Sequence, residues 1–229
     1  MRRETKMAAE GDDKTVARNE RALALWEIAS VTASFLIAEW MVLPFAGNSK
    51  LVAAIPIGLA FALMLYSHRT RGETAREIGW RLDNFRRAAR LLTLPVLAAA
   101  ILIVGAGWLL KGLRFDGRQI LEWALWLPLW GFMQQYVLQG FINRRAQLAL
   151  GRGWLSVLLV ATVFALLHLP NPWLAIATFA GGLVWAHVYQ RAPNLFALAL
   201  SHALMSMLLA VSLPPALIKS LRVGIKYFG

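Results

Sequence analysis

The sequence predicts an all-α fold, a polytopic transmembrane bundle of about seven to eight membrane helices, and three observations carry that expectation. Apolar residues make up 59% of the 229-residue chain and charged residues only 16%, against roughly 45–50% and about 25% in soluble domains. Mean hydropathy is +0.55. The apolar residues also fall into consecutive runs, separated by basic or proline-bearing turns, and a helical span needs about 20 such residues. Cysteine is absent, which excludes disulfides, thiolate nucleophiles and cysteine-held zinc or iron–sulfur centres. No P-loop, GxGxxG or HExxH motif occurs, so nothing supports ATP, dinucleotide or zincin chemistry.

The elements follow in order. Residues 1–22 form a polar segment of mixed charge, read as a short cytoplasmic tail, and residues 23–229 form a single transmembrane domain. The first span runs from about Ala22 to Phe45 and stops at Pro44, with Gly47-Asn48 as punctuation. A second runs from about Leu51 to Ser67. The segment from about 69 to 90 holds seven arginines, and its Ile78, Trp80, Leu82 and Phe85 suit the headgroup zone. Further spans cover about Leu91–Leu110, Ile120–Phe141, Trp154–Leu169, Trp173–Tyr189 and Leu195–Leu213. Pro170-Asn-Pro172 and Pro214-Pro215 close two of them, because proline cannot continue a helix. The basic tail with Lys219, Arg222 and Lys226 is expected to form one more short interfacial helix.

Basic residues outnumber acids 24 to 12, and in a multispan chain their distribution among loops sets the orientation. With the N-terminus inside and seven crossings, 17 of the 24 fall on the inner side. The charge therefore reads as a topology signal and an anchor to anionic lipid, not as a nucleic-acid surface. The expected location is the cell membrane, multi-pass, with a cytoplasmic N-terminus. Tryptophans near span ends (Trp40, Trp108, Trp123, Trp126, Trp154, Trp173) suit an aromatic belt.

Polar side chains within a span keep their place only if partnered or facing a wet cavity. Gln134, Gln135, Gln139 and Asn143 cluster in the fourth span, the last three at four-residue spacing, hence on one helical face. His168 ends the fifth span and His202 lies within the seventh, four residues before Ser206. Bundles build sites from side chains that face one another across the core, and these three spans suggest one polar pocket. Glu39, in the later half of the first span, is either wet at the outer interface or a general base in that pocket. His187 reads as interfacial, and His68 has no assigned chemistry.

Three stretches, Gln134-Gln-Tyr-Val-Leu-Gln-Gly140, Phe164-Ala-Leu-Leu-His168 and His202-Ala-Leu-Met-Ser206, resemble the CPBP family. That family groups CAAX prenyl proteases with bacteriocin-processing and immunity (Abi) proteins. Its pattern is Glu-Glu-xxx-Arg-Gly in one span, Phe-xxx-His in the next and His-xxx-Asn or a similar polar residue later. The similarity covers about residues 120–212, and Arg76-Glu-Ile-Gly-Trp80 is similar to the family's pre-helix stretch. The resemblance implies that Gln134 and His168 stand where a glutamate and histidine activate water, and His202 and Ser206 where the oxyanion is held. Here the Glu-Glu-xxx-Arg motif is replaced by Gln-Gln-xxx-Gln. A neutral amide cannot act as general base. Losing both acids and the arginine together leaves no unpaired buried ion behind.

Three functions follow as expectations. The first is a CAAX-protease-like intramembrane peptidase with an uncharged motif, in which His168 or Glu39 serves as base and Gln134, His202 and Ser206 as donors. The second is a non-proteolytic binding, immunity or assembly protein that uses the same pocket. The third is an enzyme acting on an isoprenoid or lipid. The expected partners are the lipid bilayer and a prenylated or transmembrane peptide or isoprenoid lipid. Two imidazoles and several amides make a poor zinc cage, so no metal or other cofactor is expected.

Overall fold

The computed structural model describes residues 2–45 and 50–228, so the expected Gly47-Asn48 punctuation lies outside the described residues. The described residues are mostly helical, joined by short turns, with no strand among them. Helix α1 spans Arg2–Ile37 and continues through a π-helical turn, Ala38–Val42, and one further helical turn, Leu43–Phe45. The polar tail is thus not a separate irregular segment but the first turns of the first long helix. Its Ala, Glu, Lys, Arg and Met residues are strong helix formers, which accounts for the continuity.

Helix α2 is Lys50–Thr70, α3 is Ala75–Ile78 and α4 is Phe85–Leu109. Helix α5, Gly117–Gln135, runs on through a second π-helical segment, Tyr136–Asn143, into α6, Arg144–Leu150. Then come α7 (Trp154–Leu166), α8 (Pro172–Arg191), α9 (Leu195–Ser212) and the short α10 (Pro215–Ile218). Three of the described helices are long and apolar enough to cross a membrane: Thr15–Phe45, Phe85–Leu109 and Leu195–Ser212.

Helix α9 is the axis of the packing, held between α4 and α5, while α8 packs on α7 and reaches α4. Helix α1 covers α2 and α6 on the other side. Close approach is possible where glycine meets backbone. A side-chain carbon at Gly131 would lie 3.0 Å from the Ala199 carbonyl of α9, and one at Gly182 would lie 2.9 Å from Ala161 Cα of α7. Small residues at such crossings let apolar helices associate through packing alone.

The 69–90 segment is clamped to the bundle. Thr74 and Glu77 form a reciprocal capping box for α3, and Gly79 ends it in the left-handed region. Tyr189 donates to the Ile78 carbonyl at 2.8 Å, and the Leu195 amide donates to the Gly79 carbonyl at 2.9 Å. Ile78 is consequently a core residue, whereas Trp80 and Leu82 remain exposed. The C-terminal segment forms α10 and two 3-10 turns, Lys219–Leu221 and Gly224–Tyr227. Buried Asn171 donates to the Ile218 and Arg222 carbonyls, and the Gly224 amide donates to Leu169, which hold this segment across the end of the bundle.

Candidate active site

A cavity of about 390 Å³ lies where α4, α5, α8 and α9 meet, and its walls are mostly aliphatic and aromatic. Its polar side chains are Gln134, His168, Thr178, His202 and Ser206. Thr178 is already satisfied, donating to the Leu174 carbonyl one turn earlier at 2.8 Å. The other four come from three separate parts of the chain. Four of the seven expected site residues therefore share one space, and a fifth, Gln135, touches it through His202.

The two histidines are held differently. His168 Nδ1 lies 2.7 Å from the Phe164 carbonyl. A carbonyl only accepts, so Nδ1 carries the proton and Nε2 keeps a lone pair. His202 Nδ1 lies 3.1 Å from Nε2 of Gln135, which is fully buried. With the amide NH₂ turned to the ring and Oε1 left without a partner, this Nδ1 is the acceptor and the neutral imidazole carries its proton on Nε2. The close α5–α9 crossing at Gly131, one turn before Gln135, brings this amide within reach.

Aromatic rings fix both imidazoles. Trp185 stacks on His202 with centroids 4.7 Å apart and planes at 20°, and its indole N–H donates to Ser201 Oγ at 2.9 Å. Phe164 presents its ring nearly perpendicular to His168 at 4.7 Å and to His202 at 5.8 Å. Sequence reasoning did not single out Trp185. No feature of the sequence separates it from the other tryptophans; its contact with His202 arises only from packing.

Gln139 and Glu39 do not line the cavity. Gln139 is fully buried and accepts from Asn143 Nδ2 at 2.8 Å, within a ladder in which Gln147 and Gln190 both donate to Asn143 Oδ1. Glu39 sits in the π-helical turn of the first span, packed against Gly224, and its Oε2 is buried without a hydrogen-bond partner. Both lie on π-helical segments, which recur at irregular, functionally loaded points of helices. His187 stacks on Trp154 at 5.2 Å, outside the cavity.

A second polar cluster escaped the sequence reading altogether. Arg145 is fully buried and pairs with Glu27 at 2.9 Å and Glu73 at 2.8 Å. Arg144 reaches Glu73 at 2.6 Å, His68 Nδ1 lies 2.5 Å from Glu73, and Ser67 donates to Glu27 at 2.6 Å. Burial pushes the Glu73 carboxyl up, but the hydrogen bonds from His68 and Arg145 and the positive charges of Arg145 and Arg144 outweigh it. The group is held well below the usual carboxylate range. Arg144 and Arg145 thus do more than mark the end of a span: they tie α6 to α1 and to the loop after α2.

Residues 116–208 match the family model Rce1-like, described as type II CAAX prenyl endopeptidase Rce1-like. Comparison with curated proteins and with solved structures gives no match. The matched stretch begins at the N-cap of α5, ends within α9, and contains every cavity-lining site residue named above. Over residues 116–208 the chain is therefore similar to CAAX protease-like membrane peptidases, consistent with the resemblance to the CPBP family.

Proposed function

We propose that the protein hydrolyses a prenylated membrane peptide with a pair of neutral histidines in place of the family's charged motif. The observation that carries this reading is the opposite proton placement on two imidazoles at one apolar cavity. His168 Nε2, bare and facing shared space with His202, takes a proton from water as general base. His202 Nε2–H, aided by the Gln134 amide and the Ser206 hydroxyl, holds the oxyanion that develops at the scissile carbonyl. Gln135 keeps His202 in the donor form, and the aliphatic walls take the prenyl chain. Glu39 has no part, because it lies outside the cavity. The protein acts in the cell membrane with its N-terminus on the cytoplasmic side, as the 17-to-7 division of basic residues favours.

A second reading is supported by the absence, among the described residues, of any carboxylate from the cavity lining: the pocket binds a prenylated peptide or isoprenoid lipid without cutting it. Cleavage of farnesylated and unprenylated peptides by purified wild type, His168→Ala and Gln134→Glu separates the two. The histidine mechanism requires wild-type cleavage that His168→Ala abolishes. An inert wild type that gains activity on Gln134→Glu would refute it and leave binding as the function.

A further inference from the structure

A second chamber, of about 220 Å³, adjoins the main cavity, and the two share Leu127, Ser206 and Leu221. Its character differs. Arg114, Asp116, Gln119 and Ser220 line it, at the end of the bundle where α5 begins and the C-terminal segment crosses. Leu221, at the junction, belongs to a run of three non-glycine residues in the left-handed region, Lys219, Ser220 and Leu221, with φ of 47°, 51° and 61°. Such conformations persist only where surrounding structure holds them. Here the holding comes from Asn171, which donates to the Ile218 and Arg222 carbonyls, and from the Leu169 carbonyl, which accepts from the Gly224 amide.

The charges in this chamber are unequal in their freedom. Asp116 is committed to capping α5, accepting from the Arg118 and Gln119 amides at 3.0 and 3.3 Å. Arg118 pairs with Glu122. Arg114 donates through Nη2 to the Ala210 and Leu213 carbonyls at 2.6 and 2.9 Å, which fixes the guanidinium over the end of α9. Among the described residues no carboxylate lies within ion-pair distance of it. Arg114 is exposed, so its Nε and Nη1 donors, which make no hydrogen bond to the described residues, meet solvent and are open to a ligand.

We propose that this second chamber is the subsite for an anionic group carried at the end of an apolar chain whose body occupies the main cavity, with Arg114 as its charge partner and Ser206 at the junction. The ligand class is an amphiphile with a single anionic end, either the carboxylate of a prenylated peptide's C-terminus or the phosphate of an isoprenoid lipid. The inference rests on the reading of the main cavity as a chain-binding site. It is independent of whether the histidines perform hydrolysis.

The test is competition against a photoreactive farnesyl probe cross-linked to the full chain in nanodiscs. The competitors are a farnesylated peptide with a free C-terminal carboxylate, the same peptide as its C-terminal amide, farnesyl phosphate, and farnesol. A charge-assisted contact is expected to make the anionic member of a pair compete about tenfold better than its neutral counterpart. Arg114→Gln, and separately Gln119→Glu, which places a like charge in the chamber without touching Arg114, should each erase that advantage. An advantage confined to the peptide pair identifies the carboxylate as the source, and one confined to farnesyl phosphate identifies the lipid. Equal competition by neutral and charged members, or discrimination that survives both substitutions, would overturn the subsite while leaving the chain cavity intact. Failure of all four compounds to compete would overturn the cavity reading and the subsite with it.

Discussion

The substitution Gln135→Glu replaces one amide NH₂ by an oxygen and moves almost no atom, yet it should reverse the protonation of His202. In the wild type the Gln135 amide donates to His202 Nδ1 across 3.1 Å in a fully buried setting. An ionised carboxylate can only accept, so the same approach now requires a proton on Nδ1, and a ring that stays neutral is left with Nε2 bare. A hydrogen bond to a charged group is worth about 1.5–3 kcal/mol net, so the tautomer ratio should move by roughly 10- to 150-fold. The assay is nitrogen NMR of isotope-labelled histidine in detergent-solubilised protein, which distinguishes protonated from bare ring nitrogens. With only four histidines in the chain, the His202 signals can be assigned by comparison with His202→Ala. The expected result is an exchange of the two ring-nitrogen signals of His202 with His168 unchanged. If wild-type cleavage is observed, the loss of one oxyanion donor should lower kcat by about 10²–10³ with KM little altered. A His202 that keeps the proton on Nε2 in both proteins would refute the argument that Gln135 sets its tautomer.

Three further outcomes are expected. Arg145→Ala leaves two buried carboxylates, Glu27 and Glu73, without their shared cation, and should lower stability by about 3–5 kcal/mol, read as a fall in Tm by scanning fluorimetry. Glu73 has a carboxyl pKa lowered in the folded protein, so its contribution is present above the ordinary carboxylate value and is lost only as pH falls through the depressed one. Wild type should therefore be more stable than Glu73→Gln at pH 7 and nearly as much more stable at pH 5, and the gap should close only in stronger acid; a gap that closes by pH 5 would contradict this. Gly182→Ala puts a carbon 2.9 Å from Ala161 Cα, and the overpacking of about 1–3 kcal/mol should exceed the helix-propensity gain of about 1 kcal/mol. The Tm of that variant should fall, and a rise would show that α7 and α8 can separate freely.

Much of the architecture is legible in local sequence. Proline and glycine mark where helices stop, as at Pro170-Asn-Pro172 before α8 and Gly151-Arg-Gly153 before α7, because these residues act on their own backbone. The three motif stretches also identify which helices meet, and Gln134, His168, His202 and Ser206 do line one cavity. The glutamine cluster was only half legible. Four-residue spacing put Gln135, Gln139 and Asn143 on one face, but the chain passes into a π-helical segment at Tyr136. The wider i→i+5 turn alters the angular step from residue to residue. Gln135 meets His202, whereas Gln139 meets Asn143.

Hydropathy, helix punctuation and spacing along a helix are local properties, and they are enough to read from the sequence an all-helical membrane chain with neutral polar side chains on three ordered motifs. Only the tertiary structure decided which nitrogen of each histidine carries the proton. That depends on a carbonyl four residues earlier in one case and on an amide 67 residues away in the other. Tertiary structure likewise decided that Arg145 is buried between Glu27 and Glu73, and that Arg114 and Leu221 close a second chamber beside the first. Buried charges and hydrogen-bond directions are set by whichever groups packing brings within about 3 Å, and no spacing along the chain encodes those encounters.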